Sequence, residues 1–198
     1  MNYPRALQNL INKLAHLPGV GPKTAERYAF YLLRKNENEL EELANSITNL
    51  KKEEKICHQC LALAESDPCD ICADPNRTSD ILCIVENIQD LIAIEQTGQY
   101  KGKYFVLGGL ISMIDKIGPQ DLNISALNLK IKNDKIKEII IALNFTLEGE
   151  TTSLYLQKLF KNKIKISRLA KGLPAGSDLE YADSNTLKSA LQYRSEIK

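Results

Sequence analysis

The sequence predicts an α/β protein of several domains, in which a helical N-terminal region precedes a parallel sheet flanked by helices. Two observations support this prediction. Apolar residues recur at helical spacing in the N-terminal region, for example at Leu7, Leu10 and Leu14. After residue 80, short apolar runs alternate with helical stretches, which is typical of a layered parallel sheet. A segment rich in Cys, Asp and Pro separates the two regions.

The individual elements follow from the same patterns. A third N-terminal helix is predicted over Glu39–Leu50, because acidic residues occupy its first turn, where the helix dipole favours them. A last helix is predicted over Ser184–Arg194, with Ser184 or Asp183 as its N-cap. The predicted strands are the apolar runs Ile81–Val85, Tyr104–Leu107 and Ile139–Leu143, with a fourth strand near Ile164–Leu169.

The composition is that of an ordinary folded protein, with 43% hydrophobic and 26% charged residues. No run of about 18 apolar residues is present, so no membrane segment is predicted. The first residues, MNYPRALQNL, lack the basic and then apolar pattern of an export signal. We therefore expect a cytoplasmic protein without a membrane partner.

Positive charge is concentrated near the N-terminus, although the net charge of the chain is only +1. In residues 5–35 the single acidic residue is Glu26. The basic residues of this segment are Arg5, Lys13, Lys23, Arg27, Arg34 and Lys35. Such a segment can steer a polyanion onto one face of a protein. The alternative is a solvated helical surface without a ligand, and charge alone does not decide between them.

The string LPGVGPKTA lies between two predicted helices. Gly19 and Gly21 permit a positive φ, and Pro22 suits the first position of the following helix. Free N–H groups and the dipole at such a helix start are typical of a phosphate site. Lys23 lies at this point, and Arg27 follows one turn later on the same face. We therefore predict a helix-hairpin-helix that binds the DNA backbone through Gly19, Gly21, Lys23 and Arg27.

Two alternatives to this interpretation of the string exist. A turn of Gly and Pro between helices is common and need not bind a ligand. A nucleotide-binding P-loop would place Gly directly before Lys, whereas Pro22 precedes Lys23 here. The P-loop also follows a strand, and no strand is predicted before this turn.

Two C-x-x-C pairs, Cys57 with Cys60 and Cys69 with Cys72, are separated by eight residues. Each pair can present two thiolates to one tetrahedral ion, and four cysteine ligands leave no open coordination position. We therefore predict one structural zinc per chain. Disulfides are a poor alternative in the cytoplasm. A redox-active pair is a second alternative, although it would need only one of the two pairs.

Three further residues are expected to have ordinary structural roles. His58 lies inside the first cysteine pair and is expected to be a bystander. Cys83 is expected to be a core residue of a buried strand. His16 ends a predicted helix, where its side chain can interact favourably with the negative end of the helix dipole.

Acidic residues follow two of the predicted strands. Glu86 follows the first, and the string Asn-Phe-Thr-Leu-Glu-Gly-Glu follows the third. This region resembles the Toprim domain of topoisomerases and primases, whose catalytic members hold magnesium with a Glu and an Asp-x-Asp at these points. The Asp-x-Asp positions are Asn144 and Thr146 here, and both are neutral. The resemblance therefore implies a Toprim-like fold without two-metal chemistry. The remaining acids, Glu148 and Glu150, also suit the start of a helix.

The order of hairpin, cysteine pairs and Toprim-like sheet resembles the RecR family along nearly the whole chain. Further similar strings are LGGLIS from Leu107, IGP from Ile117, EGETT from Glu148, RLAKGLPAG from Arg168 and DLEYAD from Asp178. Phe145 and Lys171 depart from the residues expected for the family. Neither belongs to the hairpin or to the cysteine pairs.

The resemblance implies a DNA-binding recombination mediator without enzymatic activity. Such a protein acts with RecO and RecF in recombinational DNA repair and helps to load RecA on single-stranded DNA. It associates with the nucleoid and self-associates as a dimer or a ring-like tetramer. Two alternatives remain at this point: a magnesium-dependent Toprim nuclease or primase-like enzyme, and a protein-interaction module with an idle hairpin.

We predict four parts in this chain. The helix-hairpin-helix region covers residues 1–53, and the four-cysteine zinc finger covers residues 54–77. The Toprim-like domain covers residues 78–172, and a C-terminal segment with its helix covers residues 173–198.

Overall fold

A computed structural model describes residues 3–194 and residue 196. The chain forms two compact units, one that ends at Glu54 and one that begins at Lys55. No helix within the described residues combines the length and apolar character needed to span a bilayer.

The first unit contains three helices, α1 (Arg5–Leu14), α2 (Pro22–Leu33) and α3 (Glu37–Glu53). Helices α1 and α2 pack together through the buried side chains of Ile11, Ala25 and Ala29. Two of these three residues are alanines, and small side chains allow the two helix backbones to approach closely. The pair is therefore held by a small core, and most of the surface of α2 faces solvent.

Helix α3 begins earlier and ends later than the predicted Glu39–Leu50. Its start is fixed by Asn36, whose side chain accepts a hydrogen bond of 2.9 Å from the Glu39 N–H. The Glu39 carboxylate in turn accepts from the Asn36 N–H, which completes a capping box. The predicted start was wrong because it fell on Glu39, the third residue of the helix.

The second unit begins with the cysteine segment. Strands β1 (Lys55–Ile56) and β2 (Leu63–Ala64) pair antiparallel on either side of the first cysteine pair. In the second pair, Cys69 is the N-cap of a one-turn helix, α4 (Asp70–Ala73), and Cys72 lies inside this helix. These short elements have few apolar residues of their own, so their packing depends on the sheet described next.

Four parallel strands form the sheet of the second unit, in the order β4-β3-β5-β6. Their bounds are Ile81–Val85 for β3, Lys103–Val106 for β4, Glu138–Ala142 for β5 and Lys165–Arg168 for β6. Every predicted strand is confirmed to within one residue at each end. The connecting helices are α5 (Ile88–Glu95), α6 (Ile124–Asn133) and α7 (Leu147–Phe160).

Strands β3, β4 and β5 are largely buried on both faces of the sheet, as expected for parallel strands with helical crossovers, whereas the edge strand β6 is only partly buried. Along β3 the side chains alternate between two apolar clusters: Leu82 and Ile84 belong to one, and Cys83 and Val85 belong to the other. Cys83 is 2% exposed, which confirms its prediction as a core residue.

The last helix of the chain is α8 (Ser184–Gln192). Asp183 is its N-cap, because its carboxylate accepts from the N–H groups of Asn185 and Thr186 at 2.9 and 3.0 Å. This confirms the second of the two predicted caps. The helix ends two residues before the predicted Arg194, and none of its residues, all of them described by the structure, is buried.

Candidate functional site

The turn between α1 and α2 is made possible by one glycine in the left-handed region. Gly19 has a φ of +76°, which side chains other than glycine rarely adopt. Gly21 has a φ of −77° and is the extended N-cap of α2. Only Gly19 therefore uses the conformational freedom that the sequence suggested for both glycines.

The start of α2 presents free N–H donors. Gly21 has no side chain to cap the helix, and Pro22 has no N–H of its own. The N–H groups of Lys23 and Thr24 therefore lack an intrahelical acceptor, whereas Ala25 N–H donates to the Gly21 carbonyl at 2.9 Å. The positive end of the helix dipole coincides with these donors.

Two exposed cations lie on α2 close to these N–H donors. The side chains of Lys23 and Arg27 are both exposed. They are four residues apart, so they project from the same face of the helix. Free amides, a helix dipole and two exposed cations at one place form a surface that can bind phosphate oxygens.

The four cysteines Cys57, Cys60, Cys69 and Cys72 meet at one point. All four are buried, and their sulfur atoms lie within 4.8 Å of one another. A tetrahedral ion with metal–sulfur bonds of ~2.3 Å would separate its ligand sulfurs by about 3.8 Å. The Sγ atoms of Cys60 and Cys69 are already 3.6 Å apart. The group can therefore hold a metal ion with little rearrangement.

The local fold prepares this group for a cation. Burial raises the pKa of Cys57, but N–H donors from Cys69, Cys60 and Gln59 outweigh it and lower the pKa to about 6. The Cys69 N–H lies 3.4 Å from the Cys57 sulfur. The neighbouring Cys72 thiol and burial raise the pKa of Cys60. A bound dication would offset the raised pKa and stabilise all four thiolates.

The cysteine group is attached to the sheet. The Val106 N–H at the end of β4 donates to the Cys60 carbonyl at 2.8 Å, and the Lys103 ammonium donates to the Cys72 carbonyl at 2.8 Å. His58 lies outside the sulfur group, with its Nδ1 2.6 Å from the Asp67 carboxylate. The structure thus supports the expectation that His58 is not a ligand.

The predicted Toprim-like position lies where β3 and β5 end side by side. Glu86 follows β3, and Asn144 follows β5 and donates from its amide to the Glu86 carboxylate at 3.3 Å. Thr146 is the N-cap of α7, and its hydroxyl accepts from the Gly149 N–H at 3.2 Å. A side chain at Gly149 would meet the Asn144 carbonyl at 1.9 Å, so this turn requires glycine. The two neutral residues are thus engaged in holding the turn.

Two cations already pair with Glu150, another acidic residue of this region. Arg168, at the end of β6, forms a bidentate pair with Glu150, with two distances of 2.9 Å. The Lys171 ammonium lies 2.5 Å from the same carboxylate. These two partners lower the pKa of Glu150 to about 2. The aromatic ring of Phe145 lies 4.8 Å from the Arg168 guanidinium and 4.9 Å from the Lys171 ammonium.

Sequence reasoning did not predict this four-residue cluster of Phe145, Glu150, Arg168 and Lys171. In the sequence, Phe145 and Lys171 stand out only because other residues are expected at these two positions, and the structure brings their side chains into contact. An aromatic and a basic residue, both unexpected at their positions, could have signalled a cation–π contact. Among the described residues, the four cysteines are the only group of three or more His, Cys, Asp or Glu side chains placed to hold one ion.

Comparison with known sequences matches three parts of the chain. A profile described as "RecR, helix-hairpin-helix" matches residues 7–51, and one described as "RecR, C-terminal" matches residues 172–195. A Toprim domain profile matches residues 80–170. A protein of Gloeothece citriformis named "Recombination protein RecR" is 48% identical over 191 residues, which is 96% of each chain.

The chain belongs to the RecR family. A Staphylococcus aureus protein of the same name is 46% identical over 198 residues and covers all of both chains. One from Rippkaea orientalis is 46% identical over 195 residues, which is 98% of this chain and 99% of the relative. Together with the structure, these matches confirm the predicted order of helix-hairpin-helix, four-cysteine group, Toprim domain and C-terminal helix.

Proposed function

We propose that this RecR family member is a DNA-binding recombination mediator in recombinational DNA repair. It acts with RecO and RecF and helps to load RecA on single-stranded DNA. The observation that carries the proposal is the start of α2, where free amides meet the exposed side chains of Lys23 and Arg27. Gly19 and Gly21 shape the turn, and Lys23 and Arg27 contact phosphates. Contacts of this kind position DNA without selecting a sequence.

The metal in the cysteine group is proposed to be zinc, one ion per chain. The donor set supports this, because four thiolates suit a tetrahedral soft site and leave no open position for catalysis. Its role is structural: Cys57, Cys60, Cys69 and Cys72 order a segment with few large apolar residues. Zinc sites of this kind contribute an apparent ~10–16 kcal/mol to folding.

We propose that the chain is not an enzyme. Two-metal phosphoryl chemistry needs several free carboxylates to hold divalent ions. Asn144 and Thr146 are neutral, and Glu150 is engaged by two cations. These facts disfavour the alternative of a magnesium-dependent Toprim nuclease or primase-like enzyme. The Toprim region, residues 78–172 in the predicted division, instead serves in binding partner proteins.

Self-association as a dimer or ring-like tetramer is part of the proposal. One chain offers only a few cations to phosphate, so its affinity for DNA is weak at physiological salt. Several copies on one strand raise the effective concentration of each site. Residues 1–53 would face the DNA, and residues 54–77 would hold the zinc. The proposed location is the nucleoid in the cytoplasm.

The salt dependence of DNA binding tests the role of Lys23. Each phosphate contact contributes about 0.9 to the slope of log affinity against log salt for duplex DNA and about 0.7 for a single strand. Lys23→Ala and Arg27→Ala should each lower the slope by about that amount. Lys158→Ala is the matched control, because it removes one exposed lysine from α7. An unchanged slope in Lys23→Ala would remove that side chain from the interface.

A further inference from the structure

Helix α2 exposes two tyrosines beyond the proposed phosphate contacts. Tyr28 is 42% exposed and Tyr31 is 59% exposed. The opposite face of the helix is closed by Ala25 and Ala29, which are fully buried. Aromatic rings are costly to leave in water when no partner covers them. The two rings are therefore accessible to a flat, apolar group.

Tyr31 lies in line with the phosphate-binding cations. Lys23, Arg27 and Tyr31 follow one another at spacings of four residues along one face of α2, and Arg34, the C-cap of the helix, continues this line three residues later. We call these four residues the α2 stripe. At ~1.5 Å per residue the stripe is about 17 Å long. It starts at the free amides of the turn and places an aromatic ring between Arg27 and Arg34.

Cations also lie beside the rings. The Lys35 ammonium is 5.2 Å from the centre of the Tyr31 ring and pairs with the Glu39 carboxylate at 2.7 Å. The Arg27 guanidinium is 5.8 Å from the centre of the Tyr28 ring. The Lys35 ammonium forms a cation–π contact with the Tyr31 ring, and the Tyr31 residue remains more than half exposed. The exposed side is available to a second π system.

We propose that the α2 stripe binds single-stranded DNA, with one base stacked on Tyr31 and neighbouring phosphates on Arg27 and Arg34. This inference rests on the proposed function and specifies its substrate class. Aromatic rings set between cations along a basic surface are the pattern by which proteins hold single strands without sequence preference. In a duplex the bases are already paired and stacked, so Tyr31 has no partner there and contributes only to single-strand binding.

A second copy of the chain is a less suitable occupant. Symmetric pairs bring the same patch of both copies together. Such a contact through the α2 stripe would bring Arg27 and Arg34 close to the same residues of the partner. Like charges placed together at an interface oppose association. The excess of basic residues in this region therefore favours a polyanion over a copy of the same surface.

The test measures binding to three probes of equal length: oligothymidylate, a strand of abasic sites and duplex DNA. Affinity is followed by fluorescence anisotropy across a series of salt concentrations. Tyr31→Ala should weaken oligothymidylate binding by about fivefold or more, with an unchanged salt slope. Binding to the abasic strand and to the duplex should not change. Tyr31→Phe keeps the ring and should keep the affinity.

Leu33→Ala is the matched control, because Leu33 is 65% exposed on the same helix but lies off the stripe. It should bind every probe as the wild type does. If the wild type binds DNA but Tyr31→Ala leaves oligothymidylate affinity unchanged, the inference fails alone. If the wild type binds none of the probes, the proposed function fails with it. If Tyr31→Ala instead lowers the affinity for all three probes equally and also lowers the solution mass of the protein, Tyr31 belongs to a contact between copies of the chain and the inference is overturned.

Discussion

Glu150 is predicted to stabilise the second unit by joining the end of β6 to the start of α7. The perturbation is Glu150→Gln, which keeps the size of the side chain and removes its charge. The Arg168 guanidinium then loses a bidentate acceptor, and the Lys171 ammonium loses its contact at 2.5 Å. Both cations are partly buried, with side chains 29% and 22% exposed, so water compensates only in part.

The magnitude follows from the shift in pKa. The pKa of Glu150 falls from 4.5 to about 2 because Arg168 and Lys171 favour its charged form. At ~1.36 kcal/mol per unit this corresponds to about 3 kcal/mol. The Glu150 side chain is 34% exposed, so solvent screening reduces the effect by roughly half. We therefore expect Glu150→Gln to lower the free energy of unfolding by about 1–2 kcal/mol at pH 7.

The measurement is urea unfolding of the metal-loaded protein, compared between wild type and variant. Glu148→Gln is the matched control, because Glu148 occupies the same first turn of α7 and forms no ion pair with the described residues. Because the folded pKa is depressed, the stabilisation is complete above about pH 4.5 and is lost as the pH falls toward 2. The difference between wild type and variant should therefore shrink as the pH is lowered. Equal loss in both variants, or a difference independent of pH, would refute the argument.

Two further predictions concern the metal and the Toprim region. Cys60→Ser should abolish the binding of one zinc per chain, measured by elemental analysis, and should make residues 54–77 accessible to proteases. The control variant His58→Ala should retain the metal and the fold, whereas a Cys60→Ser protein with full zinc content would contradict the assignment of Cys60 as a ligand. Incubation of the protein with Mg²⁺ and single-stranded or duplex DNA should give neither cleavage nor synthesis of DNA. The reason is that Asn144 and Thr146 supply no negative charge to bind Mg²⁺, and Glu150 is already paired with cations of the protein. A reaction product that disappears in the Glu86→Gln variant would show that the Toprim region is catalytic.

Local patterns in the sequence were sufficient for most of the fold. Strands β3, β4 and β5 were predictable because each is a short, largely buried apolar run, and such runs are bounded by turns. Strand β6 is only partly buried and mixes apolar with polar residues, so its pattern is weaker. The cysteine group was predictable because two C-x-x-C pairs so close together are typical of a structural metal site. The start of α3 was missed because its capping box depends on Asn36, which lies before the apolar pattern begins.

The cluster around Glu150 could not be predicted from spacing. Its members come from the start of α7, the end of β6 and the following segment, and only the parallel pairing of β5 with β6 brings them together. The conformation of Gly21 could not be predicted either, since glycine permits several backbone conformations and the turn selects one. The exposed stripe on α2 likewise depends on knowing which face of the helix is buried against α1.

The proposed function depends most on phosphate binding at the start of α2. The most direct measurement is a titration of DNA with the metal-loaded wild-type protein at low ionic strength, with the solution mass recorded at the same concentrations. We expect binding that weakens steeply as salt is added and strengthens as the protein assembles. An assembled, metal-loaded protein that leaves DNA unbound at low ionic strength would contradict this expectation.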